Sequence, residues 1–154
     1  MYLVDTNAIS ELRKGANADA GVVRFFEANG QEIFLPVFLV GELRSGTERL
    51  KRRGDLPQAQ RLESWLEAIL LKYHPRIISF DLACAQAWGY LMGVNDQHIV
   101  DRQIAAMALV YDLTVVTRNT SHFAGTGVRL LNPFAGDAAV AGPAPGKAKP
   151  RKTH

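Results

Sequence analysis

The first seven residues, Met1-Tyr2-Leu3-Val4-Asp5-Thr6-Asn7, place the tightest constraint on the fold. A short apolar strand runs straight into Asp-Thr-Asn, and a helical pattern starts at once. Strand, acid, helix is how an open α/β sheet delivers a side chain to the carboxyl edge of its strands, where ligands bind. With the strand opening at Met1, the chain is expected to begin inside its own core. The remaining sequence is read for partners to Asp5.

The pattern predicts a helix over 8–14 stopped by Gly15, and a second over 18–29 stopped by Gly30. A brief strand over 33–35 ends at Pro36. From Val37, the residues Leu39, Leu43, Gly46 and Leu50 follow at spacings of four, three and four, which makes one buried helical stripe with Glu42 beside it. That helix ends in a basic run, Arg49 to Arg53, and a fourth helix over 58–73 pairs antiparallel with it. A strand at 77–80 leads into a helix over 82–92 with Asp81 as its cap, then a loop over 93–99. The apolar run 104–110 reads as a helix covered on every side, with Asp101 at its entrance. The β-branched run 113–117 is a buried strand, and 128–131 a last edge strand before Asn132-Pro133. Alternating strands and helices imply an α/β fold: a three-layer α/β/α domain with a mostly parallel central sheet.

Length and composition fit one such domain. The chain has 154 residues, 47% hydrophobic and 21% charged, which is ordinary for a soluble globular protein. The longest apolar run, 33–41, is far short of the roughly 20 residues of a membrane span, and no signal peptide is visible. One cysteine, Cys84, excludes an internal disulfide and fits a cytoplasmic setting. The net charge of +3 is carried by the end of the chain. Four of the 18 Lys/Arg and one of the 15 Asp/Glu lie at 135–154, leaving 14 of each in 1–134. The division is therefore a neutral domain over 1–134 and a disordered basic tail over 135–154, rich in Ala, Gly, Pro and Lys.

Three carboxylates stand where their elements would prefer apolar or capping residues: Asp5 after a strand, Glu42 beside a buried stripe and Asp101 before a buried helix. Taken singly, the two aspartates can be helix caps and Glu42 a solvated helix-edge residue. Taken together they can share one cleft at the carboxyl edge of the sheet. Two carboxylates about 4 Å apart repel by roughly 4 kcal/mol at an effective dielectric near 20, so such a cluster calls for a proton or a cation. Oxygen-only donors suit Mg²⁺ or Mn²⁺. The histidines, His74, His98, His122 and His154, are too scattered in sequence to form a zinc motif. After the strand 113–117, Thr117-Arg118-Asn119-Thr120 offers a hydroxyl and an amide at the same edge, suited to a metal-bound water or a phosphate, or simply an Asn turn.

These pieces resemble a PIN-domain ribonuclease of the VapC/FitB toxin type. The matching segments are Leu3-Val4-Asp5-Thr6-Asn7 with Ile9-Ser10-Glu11-Leu12, Val40-Gly41-Glu42-Leu43 with Gly46, Asp101 with Ile104-Ala105-Ala106, Thr117-Arg118-Asn119 with Phe123, and Gly125-Thr126-Gly127-Val128 with Asn132-Pro133. They recur in order and span nearly all of 1–134. The resemblance implies a Mg²⁺- or Mn²⁺-dependent endoribonuclease that leaves 5′-phosphate and 3′-hydroxyl ends. Asp5, Glu42 and Asp101 would be its metal-binding carboxylates, with Thr6 and Asn119 in support. It also implies the toxin of a type II toxin–antitoxin pair, held by a cognate antitoxin, dimeric, and acting on RNA of the tRNA or rRNA class. Members of this type commonly carry a further acid before the Phe; here that position is His122. Whether one or two ions bind is open at this point, since imidazole can bind Mn²⁺ or contact phosphate.

RNA must reach an acidic pocket, so flanking positive charge is expected from Arg44, Arg49, Lys51, Arg52, Arg53 and Arg61. An apolar groove for an antitoxin or a second copy is sought among Leu12, Phe25, Phe26, Leu50, Leu56 and Leu62, with core packing as the other fate of these residues. Two alternatives stand beside the nuclease: a non-catalytic PIN-like module that binds RNA or antitoxin, and a phosphotransfer domain. The second is weakened because Asn7 occupies the place where a haloacid-dehalogenase site needs its second Asp.

Overall fold

The computed structural model describes residues 1–135 and 140–141. Strand β1 (Tyr2–Val4) enters helix α1 (Thr6–Glu11), and α2 (Ala20–Asn29) leads to β2 (Ile33–Pro36). The antiparallel pair α3 (Val37–Arg52) and α4 (Leu56–Tyr73) precedes the short β3 (Ile77–Ile78). Helices α5 (Leu82–Val94) and α6 (Ile99–Val110) then lead to β4 (Thr114–Val116), β5 (Arg129–Leu131) and β6 (Val140–Ala141). The sheet order is β3-β2-β1-β4-β5-β6, parallel throughout except for β6 against β5.

Strand periodicity divides the core in two. Val4, Ile33, Leu35 and Val116 face one layer with Ile9, Leu39, Leu43, Leu62 and Leu66. Leu3 and Val115 face the other with Ile104, Ala105, Met107 and Leu91. Alternate residues of one strand thus serve opposite layers, as a sheet covered on both faces requires. The three-layer α/β/α architecture expected from the sequence is what the chain adopts.

The element boundaries depart from the sequence pattern where capping chemistry decides them. Helix α1 starts at Thr6 because the Asp5 carboxylate accepts the Thr6 N–H at 2.8 Å; it ends at Glu11, and a 3₁₀ turn over Leu12–Asn17 replaces its expected last turn. Asp19 caps α2 through the N–H groups of Gly21 and Val22. Asp55 caps α4 through Gln58, two residues ahead of the expected start. Asp81 caps α5 as expected.

Three corrections concern the later elements. Helix α6 begins at Ile99, so Asp101 lies in its first turn, and with α5 running to Val94 the expected loop shrinks at both ends, to 95–98. The run 104–110 is not covered all round: 104–108 is buried, whereas Leu109 and Val110 face outward. Strand β5 is not the edge, because Val140–Ala141 pairs with Leu131 and Leu130 inside the stretch read as disordered tail. The rest of that tail, 136–139 and 142–154, lies outside the described residues.

Candidate metal and RNA site

The order β2-β1-β4 makes the crevice. The chain leaves β1 toward β2 on one side, while β4 and β5 lie on the other, so the carboxyl ends of β1 and β4 bracket the topological switch point where α/β sheets bind ligands. Asp5 follows β1 there and Thr117 follows β4. Helices α1, α3 and α6 all begin at this edge and bring Thr6, Glu42 and Asp101.

Asp5 is buried and fully engaged. Its Oδ2 accepts from the Thr117 hydroxyl at 2.8 Å and from Asn7 Nδ2 at 3.0 Å, while Oδ1 accepts from the Thr6 N–H. The Thr6 hydroxyl donates to Glu42 Oε2, so one threonine links two of the three carboxylates. Burial pushes the Asp5 carboxyl above its ordinary range, and the charges of Asp101 and Glu42 push the same way, against the hydrogen bonds from Thr117 and Thr6. Asp5 therefore feels both other acids, of which Asp101 is half-buried and Glu42 exposed.

Charge compensation separates this cluster from the other buried acid. Glu11 binds Lys14 at 2.7 Å and lies 3.5 Å from Arg118, and its Oε1 accepts the Asp19 N–H; the hydrogen bond from Lys14 holds its carboxyl below the usual range. Among the described residues no Lys or Arg pairs with Asp5, Glu42 or Asp101. Asp5, buried and without a cationic partner, with half-buried Asp101 and exposed Glu42 beside it, offers carboxylate oxygens of the kind a hard divalent cation takes.

The segment after β4 divides into two roles. Thr117, read as a candidate for water or phosphate, is committed inward: its Oγ1 serves Asp5 and accepts from Asn7 Nδ2 at 3.1 Å and from the Asn119 N–H at 3.0 Å. Asn119 is exposed, and among the described residues its side chain makes no hydrogen bond, so its amide stays free at the rim. Asn7, a motif position with no role assigned from the sequence, accepts the Arg118 N–H on Oδ1 at 3.0 Å and stitches β1 to the turn after β4.

His122 and His98 correct the reading of scattered histidines. His122 Nδ1 lies 2.8 Å from Asp101 Oδ2, His98 Nδ1 lies 3.9 Å from the same oxygen, and the two rings stack at 4.0 Å. The only sequence signal was the spacing of His98 and Asp101, three apart across a helix start.

Of the expected basic flank, Lys51 is tied to Glu48 and Glu63, and Arg44 to Glu63. Arg61 instead joins Arg13, Gln58 and Trp65 around a cleft of about 370 Å³, with the Arg13 guanidinium 5.6 Å from the Trp65 ring centre. The expected groove residues are mostly packed into or against the core; Leu56 alone of them is strongly exposed.

An α/β/α frame with Asp5, Glu42 and Asp101 near the carboxyl edge of its sheet defines a class, and comparison with known proteins agrees with it. The PIN domain family matches residues 2–127. The VapC ribonuclease Y4jK of Sinorhizobium fredii is 34% identical, over 87% of this chain and 98% of its own. Toxin FitB of Neisseria gonorrhoeae is 31% identical, over 87% of this chain and 99% of its own. The crystal structure of FitAcB from Neisseria gonorrhoeae superposes with a TM-score of 0.77 at 30% identity, covering 87% of this chain and 99% of that one. The chain belongs to the PIN-domain family, of the VapC/FitB toxin type.

Proposed function

We propose that this protein is the toxin of a toxin–antitoxin pair and an endoribonuclease that hydrolyses RNA phosphodiester bonds with a divalent cation, Mg²⁺ or Mn²⁺. The observation that carries the reading is Asp5, a buried carboxylate without a cationic partner that is tied through Thr6 to Glu42 and electrostatically to Asp101. The names of the relatives, a ribonuclease and a toxin, support the same activity.

In this reading Asp5, Glu42 and Asp101 hold the ion. A divalent cation there supplies Lewis acidity and lowers the pKa of a bound water. Asp5 is the central ligand, fixed in one rotamer by Thr117 and Asn7. Asp101 orients the attacking water. Asn119 contributes a free amide for a phosphate oxygen. Arg13 and Arg61 attract the RNA backbone, and Trp65 offers a face for base stacking.

The partners follow from the same reading: RNA of the tRNA or rRNA class, a cognate protein antitoxin, and a second copy of this chain. A dimer is supported by the apolar side chains that α5 and α6 leave exposed, among them Leu82, Tyr90, Val94, Ile99 and Leu109. No helix among the described residues is long and apolar enough to cross a membrane. We place the protein in the cytoplasm, with its RNA substrate; the buried thiol of Cys84 fits that setting.

The test is cleavage of end-labelled structured RNA with Mg²⁺, with Mn²⁺ and with EDTA, beside Asp101→Asn. Metal-dependent cleavage that vanishes in the variant is the expected result. Metal binding without cleavage of any RNA would instead favour the binding module.

A further inference from the structure

The fold brings two histidines and a carboxylate from distant segments to one point. His98 immediately precedes α6, Asp101 sits in its first turn, and His122 lies in the 3₁₀ turn Thr120–Phe123 after β4. One donor atom from each residue lies within 4.8 Å of the other two. We propose that His98, Asp101 and His122 form a mixed nitrogen–oxygen site for a first-row transition cation of the Zn²⁺ or Co²⁺ kind, beside the three-carboxylate cluster and joined to it through Asp101.

A simple His–Asp contact accounts for His122 but not for His98. The His98 ring lies nearly parallel to that of His122, 14° apart, with its Nδ1 turned toward the same Asp101 oxygen. Its backbone is left-handed, at φ 54° and ψ 55°, a region that non-glycine residues rarely occupy, and its side chain makes no capping hydrogen bond that would explain this. The segment before it is anchored from below. The buried Arg102 donates from Nε to the Gln97 carbonyl at 3.0 Å, and the Gln97 N–H donates to Asn95 Oδ1 at 2.9 Å. Arg102 is thereby turned away from Asp101, and among the described residues no Lys or Arg competes for that carboxylate.

Zinc binds imidazole nitrogen and carboxylate oxygen at about 2.0–2.2 Å, which sets tetrahedral donor atoms roughly 3.4 Å apart. Against that spacing the His122 distance to Asp101 Oδ2, 2.8 Å, must lengthen and the His98 distance, 3.9 Å, must shorten, each by roughly half an ångström. An ion must lie near the plane of each imidazole, so at least one ring turns out of the stack; with side chains 40% and 36% exposed, His98 and His122 are free to do so. Two nitrogens and one oxygen favour borderline ions over Mg²⁺, which prefers oxygen alone. The site would then differ in metal preference from the all-oxygen cluster it adjoins.

The inference shares Asp101 with the nuclease reading, and the experiment separates them. The full chain, stripped with EDTA, is titrated with ZnCl₂ by calorimetry and with CoCl₂ by its visible ligand-field absorption, beside His98→Ala, His122→Ala, His122→Asp and Asp5→Asn. Both alanine variants are expected to weaken Zn²⁺ binding by about tenfold or more and to bleach the Co²⁺ band. His122→Asp should lose the preference for Zn²⁺ over Mg²⁺, and Asp5→Asn should retain it. Zn²⁺ affinity and Co²⁺ spectrum indifferent to both histidines would overturn the site, whether or not RNA is cut. Absence of RNA cleavage in every preparation would count against the nuclease reading and leave the binding result to be judged alone.

Discussion

The Thr117 hydroxyl donates to Asp5 Oδ2 at 2.8 Å across 112 residues of sequence, joining the ends of the two strands that bracket the switch point. Because Thr117 Oγ1 also accepts from Asn7 Nδ2 and from the Asn119 N–H, Thr117 fixes the Asp5 rotamer and the turn carrying Asn119 together. Thr117→Val keeps the shape and removes that hub. Cleavage and metal affinity should each fall by about 10–100-fold, the cost of losing a hydrogen bond that orients a ligand. Isothermal titration and single-turnover cleavage would check both. Undiminished affinity would mean that packing alone positions Asp5.

Asp5 is held above the ordinary carboxylate range mainly by burial and then by Asp101 and Glu42, so its charge opposes folding when no cation is present. Asp5→Asn should therefore raise the melting temperature in EDTA by about 2–4 °C, roughly 1 kcal/mol for a chain of this size, while abolishing cleavage. Added Mg²⁺ or Mn²⁺ should stabilise the wild type and not the variant. Calorimetry in EDTA and in metal decides it; a lower melting point for the variant in EDTA would show that its hydrogen bonds outweigh the repulsion.

Much of this was legible because local chemistry and tertiary placement coincide. Asp5, Glu42 and Asp101 announce themselves as acids at the end of a strand or in helices that begin at the same sheet edge. The α/β alternation orders the strands around them. What escaped the sequence depends on contacts made across the fold. The assignment of Thr117 to Asp5 spans the sheet, and the meeting of His98 with His122 needs α6 and the turn after β4 to be set side by side. The exposure of Leu109 and Val110 escaped for the opposite reason: apolar periodicity records that a face is hydrophobic, not what covers it. Strand β6 carries too little pattern, two residues in an Ala/Gly/Pro stretch, for any local rule to find.

Gly21 lies at the start of α2 against the turn Pro133–Ala135. A Cβ there would stand 2.2 Å from the Pro133 carbonyl oxygen and 3.1 Å from the capping Asp19 Oδ1. In an open helix, alanine in place of glycine stabilises by about 0.5–1 kcal/mol. Here Gly21→Ala should destabilise by about 1–3 kcal/mol, because backbone must move to admit the methyl group. Urea denaturation gives the sign directly, and a stabilised variant would show that Pro133 yields freely.

Arg13 and Arg61 flank Trp65 without an acidic partner among the described residues, whereas Lys51 is shared by Glu48 and Glu63. If the first pair meets RNA phosphates, Arg13→Ala with Arg61→Ala should flatten the dependence of log affinity on log salt by about 1.4, at roughly 0.7 per phosphate of single-stranded RNA. Lys51→Ala should change it far less. Binding measured by fluorescence anisotropy over a salt series, with a non-cleaving variant as background, reads both slopes. Equal slopes for the double variant and its parent would remove this cleft from the RNA path.

Tyr111, at the end of α6, donates its hydroxyl to Asp81 Oδ2 at 2.6 Å, while Oδ1 of the same carboxylate caps α5 through the Cys84 N–H. The hydrogen bond to Asp81 pushes the Tyr111 phenol up to about 12, and it also holds the Asp81 carboxyl below its ordinary range. For the phenol, folding favours the neutral form, so its contribution is complete below the unfolded value near 10 and is lost as pH rises from there toward about 12. For the carboxylate, folding favours the charged form, so its contribution is complete above the unfolded value of 3.8 and is lost as pH falls through the lower folded value. Tyr111→Phe removes the shared bond. The difference in melting temperature between wild type and variant should be level across the neutral range and shrink at both the acid and the alkaline ends. A difference that stays constant into strong alkali would mean that the phenol does not donate to Asp81 in solution.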